Sequence, residues 1–463
     1  MAFRSFSIHL LSLLALISAS AVARAGDESF SYRRDVRPIL SHSCAGCHRP
    51  QKMKGKLDLT TYAALAHGGK TGPAFIAGDP EKSPLIEQVS GDDPQMPDKG
   101  QKLSATEVNI LTQWVKQGAK DDSVPGEVAA VGDSDVAPVK YAIAPVISAI
   151  AASPDGALLA VGGWHEILLH RADGSEIVAR MASCSPRITS MRFSADGAKL
   201  VAAGGSPGEF GTIEVFDVAG RKRVKRFAVS SDTVFGLSLS PTADRAAVAC
   251  ADKTVRVIDL EDGKEVDNFG VHSDWALGAA FTMDGTRVAS CGRDKNLFLL
   301  DLKTHKAIDP VADPNDPFTC LARDPNKDQV LCGTSKGQVR LYRLTDLQNS
   351  TEQKREPNRI KEWEGQAGPV NAIEYSADGT SVAVAGAGEV RVFSEAGKRR
   401  FICTGHQGAV YAIAFSPDGT RLFTGGYDGR IRVFDMKKGE LIKTFAPTPL
   451  KEGAVAVAIP ASK

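Results

Sequence analysis

The chain has 463 residues, of which 43% are hydrophobic, and its 56 Lys and Arg balance 55 Asp and Glu to a net charge of +1. This length predicts more than one domain, and the charge balance argues against a nucleic-acid-binding protein, which usually carries a basic excess. The 44 glycines and 24 prolines indicate many turns, as all-β structure requires.

Residues 1–25 have the pattern of a cleavable secretory signal peptide. Arg4 supplies a positive charge, residues 8–17 form a short apolar run, and Ala-Arg-Ala at 23–25 fits a cleavage site. The run is shorter than the roughly 20 residues that span a bilayer, although an uncleaved anchor is the alternative. We therefore expect an exported protein, periplasmic or in the cell envelope, with no transmembrane segment after cleavage.

Residues 26–120 read as a small all-α domain. Residues 35–44 are predicted to form a short helix. A second helix is predicted to begin after Ser104, since Glu107 stands three residues later as in a capping box, and to end at Gly118. The stretch between them is rich in glycine and proline and is predicted to be mostly loop.

The first predicted helix leads into Cys44-Ala45-Gly46-Cys47-His48, the C-x-x-C-H pattern of covalent haem c attachment. Each thiol can bond one vinyl group of the porphyrin, and the adjoining histidine can bind the iron. A Cys-x-x-Cys pair also occurs in zinc sites and thioredoxin-like redox sites. However, this domain has no further cysteine for zinc and no βαβ setting. The pattern therefore predicts one covalent haem c, with Cys44 and Cys47 as attachment points and His48 as the proximal iron ligand.

A six-coordinate haem iron needs a second axial ligand, which in cytochromes c is often a methionine sulfur. The first domain has two methionines after the predicted leader, Met53 and Met96. Met53 is too near His48 in sequence to reach the opposite haem face easily, whereas Met96 lies far along the chain in a proline-bounded loop. Met96 is therefore the predicted distal ligand, with His42 and His67 as weaker alternatives.

Residues 121–140 are predicted to be a flexible linker, since they contain five acidic residues and no aromatic residue. Residues 141–463 are repetitive. A turn of the Ser-Pro-Asp-Gly type recurs between apolar runs, beginning at Ser153, Ser194, Ser240, Thr282, Asp324, Ser376 and Ser416. A period of about 40–45 residues with several strands in each unit is typical of propeller blades. The pattern predicts an all-β, seven-bladed propeller.

The last unit shows the predicted blade most clearly, with strands over residues 409–415, 421–425, 430–434 and 441–445. Two segments, residues 140–144 and 454–459, could each complete a blade where the ring closes. A polar insert near residues 348–359 lengthens one unit and is predicted to be a surface loop.

The repetitive part resembles the WD40 repeat family over its whole length. The resemblance is carried by Gly405-His406, Phe216-Asp217, Ile258-Asp259, Leu300-Asp301, Phe434-Asp435 and the turn acids Asp252, Asp294 and Asp428. It implies that His272 and His406 form hydrogen bonds within their blades. The other six cysteines are scattered through strand-like runs, so we expect buried free thiols, although one disulfide among them remains open.

Residues 30–120 resemble the planctomycete-type cytochrome c domain. The matching segments are Asp35-Val-Arg-Pro-Ile-Leu, Cys44-Ala-Gly-Cys-His48, Gly72-Pro73, Gly78-Asp79-Pro80-Glu81-Lys82-Ser83-Pro84-Leu85, Met96-Pro97, Trp114 and Gly118-Ala119. The resemblance implies covalent haem on Cys44 and Cys47, His48 as proximal ligand and Met96 as distal ligand. Asp98 stands where the family often has a second proline.

These features favour an exported, single-haem electron-transfer protein whose propeller docks an unidentified redox protein or envelope protein. The alternative is a peroxidase-like or other oxidoreductase that uses the haem as a relay, which an open coordination position would favour. Against an enzyme, only one haem motif is present and the propeller shows no clustered histidines or carboxylates. A haem-based sensor ranks last, because the linker argues against rigid coupling.

Overall fold

A computed structural model describes residues 29–44, 47–49, 52–59, 62–98, 102–122, 140–312, 316–344 and 359–452. The predicted signal peptide, most of the predicted linker and insert, and the tail segment 454–459 lie outside these residues. The chain divides into two compact units, Met1–Asp122 and Ser123–Lys463, and each is described by itself.

The first unit is small and mainly helical. Its α-helices are α1 (Arg37–Ser43), α2 (Tyr62–His67), α3 (Pro84–Val89) and α4 (Ala105–Lys116). A π-helical turn (Tyr32–Val36) precedes α1, 3-10 turns occupy Lys54–Lys56 and Pro80–Lys82, and β1 (His48–Arg49) pairs with β2 (Lys52–Met53). The structure confirms helices near both predicted positions. It also adds α2 and α3, six residues each, where mostly loop was predicted.

Helix α4 begins with the predicted capping box. The Ser104 hydroxyl oxygen accepts from the Glu107 amide at 3.3 Å, while the Glu107 carboxylate accepts from the Ser104 amide at 2.7 Å. Two of the amides left unpaired at a helix start are thereby satisfied. Gly118 has a φ of +96°, which glycine adopts without steric cost, and the helix ends just before it.

The core of this unit forms around Trp114 of α4, which is fully buried. Tyr32, Tyr62 and Phe75 surround its ring at centroid distances of 5.7, 6.3 and 5.2 Å respectively. Val36 just before α1, Ile39 and Leu40 of α1, and Leu111 of α4 belong to the same buried cluster. Helices α1 and α4 are therefore held by one aromatic and aliphatic core.

The described part of the second unit contains seven four-stranded antiparallel sheets, which confirms the predicted seven-bladed propeller. Blade 1 consists of β3 (Ile150–Ala152), β4 (Leu158–Gly162), β5 (Glu166–Arg171) and β6 (Ile177–Ala182). Blade 2 consists of β7 (Arg187–Phe193), β8 (Lys199–Ser206), β9 (Phe210–Asp217) and β10 (Lys222–Ser230). Blade 3 consists of β11 (Val234–Leu239), β12 (Arg245–Cys250), β13 (Val255–Asp259) and β14 (Glu265–Phe269).

The remaining blades repeat this order. Blade 4 consists of β15 (Ala276–Phe281), β16 (Arg287–Gly292), β17 (Asn296–Asp301) and β18 (Lys306–Ala312). Blade 5 consists of β19 (Phe318–Arg323), β20 (Gln329–Thr334), β21 (Val339–Arg343) and β22 (Arg359–Trp363). Blade 6 consists of β23 (Ala372–Tyr375), β24 (Ser381–Ala385), β25 (Val390–Ser394) and β26 (Arg399–Cys403). Blade 7 consists of β27 (Val410–Phe415), β28 (Arg421–Gly426), β29 (Ile431–Asp435) and β30 (Leu441–Phe445).

The recurring turn joins the first two strands of each blade, as predicted. In blade 7 the Ser416 hydroxyl donates to Asp418 Oδ1 at 2.5 Å, and the Thr420 amide donates to the same oxygen at 3.0 Å. These hydrogen bonds favour the ionised carboxylate, so they lower the pKa of Asp418 to about 2. Serine and aspartate thus stabilise the turn together.

His272 and His406 form the hydrogen bonds within blades that the WD40 resemblance implies. His272 Nδ1 lies 2.9 Å from Asp294, and its Nε2 lies 2.9 Å from the Ser290 hydroxyl. His406 Nε2 lies 2.7 Å from the Thr424 hydroxyl. Both imidazoles are buried and therefore serve the packing of their blades.

The ring closes between blades 7 and 1, where residues 140–144 form no strand of a blade, while residues 454–459 lie outside the described residues. Instead, Tyr141 forms a parallel bridge with Leu450. The Tyr141 amide donates to the Pro449 carbonyl at 2.7 Å, and the Lys451 amide donates to the Tyr141 carbonyl at 2.8 Å. Every described blade is built from four consecutive strands, so this short pairing lies outside the sheets.

The six propeller cysteines are free thiols, as expected. Cys184, Cys250, Cys291, Cys332 and Cys403 are buried, and Cys320 is half-buried. Burial raises the pKa of several of these thiols, including Cys403 to about 12. Among the described residues, no helix has both the length and the apolar character needed to cross a membrane.

Candidate haem site

Backbone hydrogen bonds link Cys44, Cys47 and His48 to the end of α1. The Cys44 amide donates to the Leu40 carbonyl at 2.9 Å, and the amides of Cys47 and His48 donate to the Cys44 carbonyl at 3.0 and 3.1 Å. Leu40 is fully buried in the core. The turn that carries both thiols and the imidazole is therefore fixed to the body of the domain.

Residues 93–98, named here the distal loop, form a second segment of the site. The Met96 amide donates to the Gln88 carbonyl at 2.8 Å, which ties the loop to α3, and the Met96–Pro97 peptide is cis. The Met96 side chain is partly buried and packs against the hydrophobic core. The Lys102 ammonium donates to the Pro97 carbonyl at 2.8 Å, which gives the loop a second anchor.

A cavity of about 630 Å³ lies between these two segments, and Cys44, Cys47, His48 and Met96 all line it. This volume is within the range of about 300–1,000 Å³ typical of cofactor sites. The structure thus brings Met96 to the same cavity as the three residues of the contiguous motif. His67 is exposed at the end of α2 and is not among the lining residues, while the side chains of His42 and Met53 lie outside the described set.

The rest of the wall was not predicted from the sequence. It is largely apolar and includes Leu57, Leu59, Pro73, Leu85 and Val89, with Lys54, Gln88 and Asp98 among its polar members. These residues come from loops and from the short helix α3, and none of these segments shows a periodic pattern in the sequence. The Gly-Pro and Ser-Pro-Leu segments of the cytochrome resemblance were the one signal that pointed to this wall.

Tight turns hold the glycine-rich side of the cavity in place. Gly68 has a φ of +79°, and a Cβ atom there would lie 2.2 Å from the Gly72 carbonyl oxygen. The Lys70 amide donates to the Gly55 carbonyl at 2.7 Å, which joins this turn to the segment after β2. Two loops distant in sequence therefore form one continuous wall.

The donor set fits a haem. A six-coordinate cytochrome c needs two thiols for attachment and two axial ligands, of which imidazole and thioether are a known pair. The buried Nδ1 of His48 has no hydrogen-bond partner within the described residues, so nothing there fixes the imidazole in a purely structural role. Within the same described residues, no group of three His, Cys, Asp or Glu side chains could hold a bare metal ion.

The Cys44 thiol is protonated at neutral pH before any attachment. Burial, and to a lesser degree the negative charge of Glu107, raises the pKa of Cys44 to about 11. A thiol rather than a thiolate is the form expected here, because the surroundings are apolar.

The propeller has its own cavity, a central channel of about 400 Å³ lined by the innermost strand of every blade. Much of its wall consists of small residues, namely Ser190, Gly236, Gly278, Cys320, Ala372 and Ala412. One ion pair joins blades 2 and 6 within it, with Arg192 Nη2 3.4 Å from Glu374 Oε2. Burial raises the pKa of Glu374, and the Arg192 charge opposes that effect.

Comparison with known proteins supports both parts of the chain. The family model for Planctomycete cytochrome C matches residues 44–100, and the model for the WD domain, G-beta repeat, matches residues 221–259 and 397–435. The first of these spans begins at Cys44 and includes His48 and Met96.

Curated relatives match only part of the chain. One is the eukaryotic translation initiation factor 3 subunit I of Phaeosphaeria nodorum, 31% identical over 18% of this chain and 24% of that protein. Another is a periodic tryptophan protein 2 homolog of Dictyostelium discoideum, 32% identical over 19% of this chain and 10% of that protein. Periodic tryptophan protein 2 of Saccharomyces cerevisiae is 26% identical over 27% of this chain and 13% of that protein.

The chain thus spans less than a quarter of the length of each of these relatives. The chain thus contains a region that matches the planctomycete cytochrome c family, followed by a seven-bladed β-propeller in which two segments match the WD40 repeat.

Proposed function

We propose that this protein is an exported, single-haem c-type cytochrome that transfers electrons, and that its propeller docks a redox partner or an envelope protein. The observation that carries the proposal is the cavity of about 630 Å³ whose wall contains Cys44, Cys47, His48 and Met96. The two cysteines would hold haem c covalently, His48 would bind the iron from one face, and Met96 would bind it from the other.

The haem would supply an iron that changes between ferrous and ferric states. The protein's contribution is to keep both axial ligands in place and to limit the access of water, since both act on the reduction potential. The hydrogen bonds that hold His48 and Met96 to α1 and α3 would keep the axial ligands in place. The apolar residues Leu57, Leu59, Leu85 and Val89 line the cavity and would limit the access of water.

Export is proposed from the pattern of residues 1–25 and from the cytochrome match, because haem c is attached outside the cytoplasm. Docking by the propeller is proposed from its architecture, which supplies the larger surface of the chain. That second step is an analogy with other propellers.

Attachment is tested by expressing the full chain, with its leader, in a bacterium that matures c-type cytochromes. The wild-type chain should keep haem through a denaturing gel, and the Cys44→Ser/Cys47→Ser double variant should lose it. Cys403→Ser, which alters a thiol in a propeller core, is the matched control and should keep its haem. Equal haem retention by the double variant would overturn covalent attachment at this motif.

The distal ligand is tested with Met96→Ala in the haem-loaded chain. Ferric wild-type protein should show the weak red absorption band of a methionine–iron bond. The variant should lose that band, bind cyanide readily and show a potential lower by roughly a tenth of a volt or more, because axial ligands set haem potentials over a range of about 0.8 V. His67→Ala is the control and should keep the band, whereas a wild-type protein that lacks the band and binds cyanide readily only in the His67→Ala variant would instead favour histidine ligation.

A further inference from the structure

The mouth of the candidate haem cavity is crossed by an ion pair. Lys54 Nζ lies 3.1 Å from Asp98 Oδ2, and both residues line the cavity. Lys54 follows β2 on the side of the haem attachment turn, whereas Asp98 ends the distal loop. The pair therefore joins two segments that are 44 residues apart in sequence.

Both ends of this pair are close to predicted haem-binding residues. The Lys54 amide donates to the Cys47 carbonyl at 3.2 Å, so the Lys54 backbone is fixed to the attachment turn. Asp98 follows Met96 by two residues, and Pro97 between them is buried. A force that holds Asp98 towards Lys54 therefore acts on the position of Met96.

The other hydrogen bonds that hold the distal loop to the rest of the domain have different partners. The Met96 amide is tied to the Gln88 carbonyl at the end of α3, and the Pro97 carbonyl is tied to the Lys102 ammonium. Both anchors lie on the α3–α4 side of the domain. The Lys54–Asp98 pair adds a contact to the segment that carries Cys47 and His48.

We infer that Lys54 and Asp98 form a latch that positions Met96 on the haem iron. The inference rests on the proposed function, because it assumes that Met96 is the distal ligand. Lys54 and Asp98 are positioning residues and do not themselves bind the iron. Since Met96 must leave the iron before an external ligand can bind, a weaker latch should make that exchange easier.

The expected size of the effect follows from the exposure of the pair. The two side chains are 47% and 54% exposed, and exposed ion pairs contribute little because water screens their charges. Loss of the latch should therefore tighten cyanide binding to the ferric protein by about 1.4-fold to fivefold. The effect should fall at 1 M salt, where charges are screened beyond about 3 Å.

The test uses haem-loaded full-length protein and measures its dissociation constant for cyanide. Lys54→Gln and Asp98→Asn should each tighten binding, and the double variant should show no more than the larger single effect, since both substitutions remove one interaction. Lys82→Gln is the matched control. It removes another exposed ion pair of the same domain, Lys82 with Asp79 at 2.9 Å, and should leave cyanide affinity unchanged.

The outcomes separate this inference from the proposed function. If wild-type protein shows the methionine band but the Lys54 and Asp98 variants bind cyanide like wild type, the latch is wrong and the electron-transfer proposal stands. Equal tightening by Lys82→Gln, or additive effects in the double variant, would also overturn the latch. If wild-type protein lacks the methionine band, both Met96 ligation and the latch are rejected.

Discussion

A single buried cluster in blade 7 shows how one residue stabilises its surroundings. Asp428 accepts a hydrogen bond from Arg432 at 2.7 Å, and Arg432 also donates to His406 Nδ1 at 2.9 Å. Nε2 of the imidazole then donates to Thr424. Burial alone would raise the pKa of Asp428, but hydrogen bonds from two backbone amides and the charge of Arg432 together hold it well below its usual range.

Asp428→Asn should therefore be strongly destabilising, because it leaves the buried Arg432 guanidinium without its anionic partner. The side chains of Asp428 and Arg432 are only 2% and 8% exposed. Breaking such a pair from one side costs about 3–5 kcal/mol. Denaturant unfolding of the full chain at pH 7 measures this loss.

The control is Asp262→Asn, which removes an exposed carboxylate that pairs with Lys264 and should leave stability almost unchanged. A carboxyl with a lowered pKa in the folded state stabilises above its unfolded pKa of about 3.9 and loses this contribution as the pH falls. The gap between wild type and Asp428→Asn should therefore shrink below about pH 4. A gap that is constant with pH would contradict the role of the charge.

At the scale of the element, α4 depends on its N-terminal capping box. Ser104→Ala removes the side-chain acceptor of the Glu107 amide, which should cost about 0.5–2 kcal/mol. Thermal unfolding followed by far-ultraviolet circular dichroism is the measurement. Thr106→Ala changes an exposed residue one position inside the helix and should stay within about 0.5 kcal/mol of wild type. Equal losses in both variants would rule out capping as the cause.

Elements with strong local signals were predicted almost to the residue. Strand β30 has the predicted bounds Leu441–Phe445, and the other blade 7 strands differ from their predicted bounds by one residue at one or both ends. Helix α4 carried both a capping box and apolar residues at helical spacing. Helices α2 and α3 were missed because six residues are less than two full turns, too short for a periodicity to be recognised.

The candidate site, too, was predicted where local signals are strong and missed where they are absent. Cys44, Cys47 and His48 stand in a contiguous motif, and Met96 was selected because the domain contains so few methionines. The opposite wall depends on how loops cross, as in the contact of Lys70 with Gly55. The sequence pattern and the composition do not show which loops come into contact. The Lys54–Asp98 pair was missed for that reason.

For the propeller as a whole, stability depends on how the ring closes. Besides the Tyr141 pairing with Pro449 and Lys451, His170 Nε2 lies 2.9 Å from the Pro447 carbonyl. Ile147 and Phe423 share a buried core between blades 1 and 7. Hydrogen bonds and packing therefore act together at this junction.

Truncation after Phe445 should weaken the ring, because it removes three hydrogen bonds of this junction. At about 1 kcal/mol each, their loss should lower the free energy of unfolding by roughly 2–4 kcal/mol, measured by denaturant unfolding. Truncation after Glu452 keeps all three bonds and is the matched control. If both truncations lower stability equally, these bonds are not the cause.

Each blade of the propeller is formed by one continuous stretch of the chain. Since each sheet uses four consecutive strands, a cut between any two blades would divide no strand ladder. The segments around Tyr141 and Leu450 already lie side by side, so a short peptide could join them. The propeller is therefore suited to circular permutation, with new ends between any neighbouring blades, and the cytochrome domain could in this way be attached at other points around the ring.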